Sequence, residues 1–171
     1  SRPVGFTWDE AALGYNAYSL LKTGKDEYGQ IAPIVFRSFG DYKPGLYVYL
    51  TIPSVAIFGL NEFATRLPSA MFGVLLVALL WVLTRLLFPE NELAPYTVSL
   101  ITAFNPWLIN FSRGAWEANL SLLLTTLGVT LFLKNKNQTS LIINLLIFTF
   151  FGLTFWSYQS AKLTSPLLII S

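Results

Sequence analysis

The sequence predicts an all-α protein, a polytopic transmembrane helix bundle with amphipathic juxtamembrane helices in a first external loop. Three observations carry that expectation. Of the 171 residues, 54% are hydrophobic, 16% aromatic and only 12% charged, whereas an ordinary soluble domain is about a quarter charged. Long apolar stretches recur at roughly the 20-residue length that a spanning helix needs. The only sizeable polar stretch is residues 1–43, which holds Asp9, Glu10, Asp26, Glu27 and Asp41 beside Lys22, Lys25, Arg37 and Lys43.

Within that stretch Thr7-Trp8-Asp9-Glu10 has the form of a capping box. The apolar stripe Leu13, Ala17, Leu20 and Leu21 follows it and ends at Gly24, so a short amphipathic helix is predicted over about 8–22. Residues 45–60 are too short to cross a hydrocarbon core and carry Pro53 in their middle, which predicts an interfacial or re-entrant helix rather than a span. Spanning helices are predicted at about 67–88, 93–112, 116–133 and 140–161. The domain reading is thus an external loop over 1–66 and membrane helices over 67–171, together a single partial domain. Ser1 opens the chain in a polar loop and Ser171 closes it inside the apolar run after Pro166, so a longer protein, with a membrane segment before Ser1 and helices beyond Ser171, is expected.

If 45–60 does not cross, Lys134, Lys136 and Arg85 fall on one side and the acidic loop on the other. The positive-inside rule then makes the first side cytoplasmic and the loop extracytoplasmic, in an integral multi-pass protein of the cell membrane. That arrangement gathers Asp9, Glu10, Asp41, Lys43, Arg66, Arg113 and Glu117 at the outer rim, with Tyr158, Gln159 and Lys162 at the same level. Ionisable groups beside hydrocarbon are costly and commonly line a substrate path or pair with each other. Carboxylates mixed with Lys and Arg suit a site that deprotonates an acceptor and holds a phosphate.

Each residue also has a plainer reading. Asp9 and Glu10 can be first-turn charges favouring the helix dipole, and Asp41-Tyr42-Lys43-Pro44 a turn with a local ion pair. Arg66, Arg113 and Lys162 can be snorkelling ends of helices, and Trp107 and Trp116 an aromatic belt. The sequons at Asn110, Asn119 and Asn137 lie too close to apolar segments to argue glycosylation. With no Cys and no His, thiolate and imidazole metal sites are excluded and acid–base chemistry falls to carboxylates, Lys or Tyr. A net charge of +2 does not suggest a nucleic-acid partner.

Four strings in order, Phe6-Thr7-Trp8-Asp9-Glu10-Ala11, Gly40-Asp41-Tyr42-Lys43-Pro44-Gly45-Leu46-Tyr47, Ala64-Thr65-Arg66-Leu67-Pro68-Ser69-Ala70 and Asn105-Pro106-Trp107-Leu108-Ile109-Asn110-Phe111-Ser112-Arg113, resemble the GT-C membrane glycosyltransferases. The nearest branch is that of protein O-mannosyltransferases and bacterial aminoarabinose or lipid-A glycosyl transferases. The resemblance implies a GT-C-like bundle that takes a sugar from a polyprenyl-phosphate donor and passes it to a protein, lipid or glycan acceptor. It implies Asp9 as the catalytic acidic position with Glu10 its neighbour, and Lys43 as the lysine meeting the donor phosphate. Arg66, Arg113 and Lys162 are basic residues expected near that phosphate, with Asp41, Glu117 and Tyr158 in support. The implied mechanism is an inverting single displacement with Asp9 as base.

Two departures stand against metal binding at the Lys-Pro pair. Tyr42 separates Asp41 from Lys43, and Gly45 stands where a second proline is common. No cofactor is expected from this stretch, and a divalent metal in the whole enzyme would draw its ligands from elsewhere. Two other readings compete. An oligosaccharyltransferase-like subunit should carry an aspartate after Ser112-Arg113, but Ala118 and Asn119 follow Glu117. A polytopic transporter or scaffold should show mid-depth charges and inverted repeats, and the sequence has neither.

Overall fold

Helices form where the sequence places apolar stripes between caps, and one small sheet forms where it places a glycine turn. The computed structural model describes residues 5–38, 40–135 and 140–160. In chain order the elements are α1 (Trp8–Thr23), β1 (Val35–Ser38), β2 (Asp41–Pro44), α2 (Leu46–Phe58), α3 (Glu62–Leu87), α4 (Ala94–Ala103), α5 (Pro106–Arg113), α6 (Glu117–Asn135) and α7 (Leu141–Ser157).

The capping box is realised. Thr7 accepts from the Glu10 amide while the Glu10 carboxylate accepts from the Thr7 amide, and Gly24 ends α1 in the left-handed region at φ 70°. Asn61 caps α3 by accepting from the Ala64 amide, and Asn105 caps α5 by accepting from Trp107 and Leu108, as short polar side chains do for first-turn donors. Helix α2 keeps Pro53 inside its 13 residues, a length of roughly 20 Å at 1.5 Å per residue, which is short of a hydrocarbon core. The predicted helices over 8–22, 45–60, 67–88 and 116–133 therefore appear with shifts of a few residues at their ends.

Three expectations change. The stretch 93–112 is not one helix: Phe104 closes α4, and Asn105-Pro106 starts α5 with proline at the first helical position, where its missing N–H costs nothing. The predicted 140–161 helix ends at Ser157. Residues 35–44 are not simply loop but an antiparallel hairpin, Val35 facing Pro44, Phe36 facing Lys43, Arg37 facing Tyr42 and Ser38 facing Asp41. By length and composition one described helix, α3 with 26 residues, suffices to cross a membrane. Helices α5 and α6, bent against each other by 119°, make a second candidate if they are one broken span. The structure is thus mostly helical with one or two candidate spans, and the four-span count of the sequence reading is reduced accordingly.

Helix α3 is the hub, touching α1, α2, α4, α5 and α6, while α6 and α7 pack along each other. The buried core joins Leu13, Ala17 and Leu20 of α1 to Phe36, to Leu46, Tyr47, Val48 and Val55 of α2, to Ala64 of α3 and to Leu120 and Leu124 of α6. Most of the remaining length of α3 is uncovered, with Met71, Val74, Leu75 and Val82 outward, an apolar surface suited to lipid or to further helices rather than water.

Close approach depends on small residues. A Cβ at Gly73 would stand 2.1 Å from the Ser112 hydroxyl, and one at Gly14 would stand 2.5 Å from that of Thr65. At the first crossing Asn119 donates to the Ser69 carbonyl at 3.0 Å and to the Ser112 hydroxyl at 3.1 Å, and Ser69 donates to the Phe111 carbonyl at 2.9 Å. Replacing Gly14 with Val should force α1 off α3 and lower stability by about 1–3 kcal/mol. A thermal unfolding series in detergent checks this, and an unchanged midpoint would contradict the tight crossing.

Candidate functional site

Successive residues of a helix point about a quarter turn apart, so the acidic pair at the start of α1 divides its labour. Glu10 turns inward and is 3% exposed. Its carboxylate accepts from Arg66 Nε at 2.7 Å and Arg66 Nη2 at 2.8 Å, from the Thr7 amide at 3.0 Å and hydroxyl at 3.2 Å, and from the Ala115 amide at 2.9 Å. Glu62, one turn before Arg66, adds an ion pair at 3.6 Å, and Phe6 lies with its ring 5.6 Å from the guanidinium. Burial raises the Glu10 pKa, but the Arg66 hydrogen bond together with the Thr7 and Ala115 amides outweighs it and holds the group at about 2, below its ordinary 4.5. Such a carboxylate is saturated with donors. It ties α1 to α3 and to the bend before α6.

Asp9 turns the other way. Its side chain is 53% exposed and pairs with Lys43 Nζ at 2.5 Å. Lys43 is delivered by the hairpin: Gly40 at φ 92° makes the turn, and β2 then sets Lys43 opposite Phe36, whose ring is buried under Gly45. The lysine is only 15% exposed, so its stem is packed while its ammonium meets Asp9. Helix α7 braces the other side of the hairpin, with Trp156 Nε1 donating to the Ile34 carbonyl at 2.6 Å and Gln159 donating to the Tyr42 carbonyl at 2.8 Å.

Of the remaining predicted residues, Asp41 accepts from the Tyr42 amide at 2.7 Å; the plainer reading of Asp41–Pro44 as a turn with a local ion pair gives way to a strand whose Lys43 pairs with Asp9. Glu117 opens α6, and its strongest charged neighbours are Lys43, then Asp9, then Asp41. Arg113 lines a separate open groove of about 470 Å³ with Glu62, Phe63, Arg66, Leu67, Ala70 and Ser112, so it belongs with Arg66 rather than with Lys43. Tyr158 is the cap residue after α7, its amide bonded to the Thr154 carbonyl. Lys162, Lys136 and the Asn137 sequon lie outside the described residues. Among the described residues no group of three His, Cys, Asp or Glu side chains is placed to hold a metal ion.

Sequence reasoning missed the hairpin, its braces from Trp156 and Gln159, and the Ala115 amide as a partner of Glu10. The run Val35-Phe36-Arg37-Ser38 before Gly40 is a short strand-and-turn signal that points to the first of these. A backbone amide 105 residues away has no sequence signature at all.

The family model for dolichyl-phosphate-mannose-protein mannosyltransferases matches residues 42–170. The chain belongs to that family. No curated protein and no solved structure matches it. As a member of the mannosyltransferase family the chain is a membrane glycosyltransferase sequence of the GT-C type. The match starts at Tyr42 and so takes in Lys43, Arg66, Arg113 and Glu117, while α1 with Asp9 and Glu10 precedes it.

Glu10 gives a pH signature. A carboxylate whose folded pKa lies below its unfolded value stabilises the fold above the unfolded pKa and loses that contribution as pH falls toward the folded one. Stability in detergent should therefore decline between about pH 4.5 and about pH 2 by roughly 2–3 kcal/mol, and Glu10→Gln should flatten that limb. Glu10→Ala should cost more, about 3–5 kcal/mol, because it removes two charge-assisted hydrogen bonds from a largely buried guanidinium.

Proposed function

We propose that this mannosyltransferase-family chain moves a sugar from a polyprenyl-phosphate donor to a hydroxyl of a protein, lipid or glycan acceptor on the extracytoplasmic face, with inversion at the anomeric carbon. One observation carries the reading: of two adjacent carboxylates, Glu10 is filled by fixed donors while Asp9 is half exposed and, among the described residues, has the Lys43 ammonium as its one ion-pair partner. A general base must be reachable and have a lone pair to offer. A leaving phosphate needs fixed positive charge beside it.

The step balances on these two residues. The acceptor hydroxyl passes its proton to Asp9 as its oxygen bonds to the anomeric carbon. The bond from that carbon to the phosphate oxygen breaks, and the electron pair leaves with the polyprenyl phosphate. Lys43 meets the phosphate, and in doing so gives up Asp9, so arrival of the donor unmasks the base. Arg66, bound to Glu10, acts on the phosphate at longer range, as does Arg113 from its groove.

Placement of the loop outside is supported by the run of α3 and α6. Helix α3 starts at Glu62, one turn before Arg66, and α6 at Glu117, two residues after Ala115; both end in basic last turns, at Arg85 and Lys134, as a cytoplasmic face favours.

In the intact protein in membranes, Asp9→Asn should reduce sugar transfer by at least about a hundredfold, the general-base contribution, while leaving membrane insertion and thermal stability unchanged. Retention of most activity rules out Asp9 as the base. Lys43→Ala should raise the KM for the polyprenyl-phosphate donor. A KM equal to that of the wild type rules out the phosphate role.

A further inference from the structure

Glu117 takes part in none of the ion pairs above. It begins α6 directly after the bend held by Glu10, and one of its carboxylate oxygens is buried with no hydrogen-bond partner among the described residues. A first-turn carboxylate that served only the helix dipole would face water, where its oxygens stay hydrated. A buried one without a donor is costly, and its persistence points to a partner that arrives from outside.

The surroundings restrict what that partner is. Lys43 is the nearest influential cation, but its ammonium is bonded to Asp9 and makes no ion pair with Glu117. A carboxylate oxygen accepts, as do those of its neighbours Asp9 and Asp41, so an ionised phosphate offers it no hydrogen bond. No third ligand-type side chain is placed to complete a metal site among the described residues. What remains is a neutral hydrogen-bond donor. The acceptor hydroxyl is already claimed by Asp9 and the phosphate by Lys43, and both of these charges act on Glu117. Beside the line from base through the attacked carbon to the phosphate stand the hydroxyls of the transferred sugar.

We infer that Glu117 is a specificity-determining residue of the transferase, its buried carboxylate oxygen accepting a hydrogen bond from one ring hydroxyl of the sugar being transferred. This rests on the transferase reading and adds the part of the donor that the site recognises. A buried carboxyl oxygen that accepts from a hydroxyl discriminates strongly against a sugar lacking it, because removing the hydroxyl leaves that oxygen buried and unpaired.

The test is a cycle between enzyme and substrate. Wild type, Glu117→Ala and Glu117→Gln, each in the intact protein in membranes, are assayed with polyprenyl-phosphate mannose and its monodeoxy forms, one ring hydroxyl removed at a time. The wild type should lose on the order of 10- to 100-fold in kcat/KM with one deoxy donor and much less with the others. Glu117→Ala should bring that ratio to within about twofold of unity. Glu117→Gln keeps the shape and one acceptor oxygen, and should reduce the ratio by about fivefold or more as the charge-assisted part is lost. It carries the test if the alanine variant fails to fold, as judged by its melting in detergent.

Equal discrimination in variants and wild type, or a uniform loss of rate with every donor, overturns the inference and leaves Glu117 a structural residue. Transfer by the wild type with no deoxy form disfavoured overturns it as well, and leaves the transferase reading standing. A wild type that transfers from no polyprenyl-phosphate donor overturns the transferase reading, and this inference with it.

Discussion

The Glu10 carboxylate is the constraint on which the rest of the arrangement depends. Its two oxygens collect donors from three places in the chain: Thr7 beside it, Arg66 at a separation of 56 residues and Ala115 at 105. Remove the fork and three things lose their mutual register, namely the start of α1, the exit of α3 from the loop and the bend into α6. A guanidinium suits this post because its planar donors match both oxygens and its charge is not titrated away. The neighbouring Asp9 then inherits its direction from helical geometry, with no contact of its own needed to aim it. A side chain one residue from a structural ion pair starts from a backbone held as firmly as the pair itself.

The second requirement is to bring a lysine to that aspartate from a different element, and the hairpin does so. A two-stranded ribbon alone is marginal in water. This one is clamped, with Phe36 buried against α2 on one side and the carbonyls of Ile34 and Tyr42 taken by Trp156 and Gln159 on the other. Trp156 at the end of α7 and Gln159 just beyond it thus spend their polar ends on the backbone of β2 and of the residue before β1. That is how an aromatic residue at the end of an apolar helix can be structural and still look, in composition, like part of a membrane belt.

Much of this was legible beforehand, for physical reasons that can be named. The capping box over Thr7–Glu10 and the Gly24 stop are local rules, and α1 obeys them to within a residue. The limits of α2 follow from its length and proline. Asp9 pairs with Lys43, Arg66 is partnered by Glu10, and Arg113 sits in another groove, pairings that the ordered strings do not specify. What escaped were tertiary facts. Hydrophobicity over 93–112 is continuous, and only the coincidence of an Asn cap with a following proline breaks it into α4 and α5. The two roles of the acidic pair could not be told apart either, because helical phase decides which carboxylate faces in and the loop sequence does not say where the core will lie.

The wide spacing of Glu10's partners sets the order in which the molecule can be completed. Synthesis proceeds at about 5–20 residues per second, so the chain between Glu10 and Ala115 takes on the order of 5–20 s to emerge. For that interval α1 can form on its cap and meet Arg66, but its last donor does not yet exist. The junction of α1, α3 and the bend before α6 therefore closes late, only after α2 to α5 have been made. A nascent chain passes through a stage in which most of its helices exist while the carboxylate that registers them is only partly satisfied.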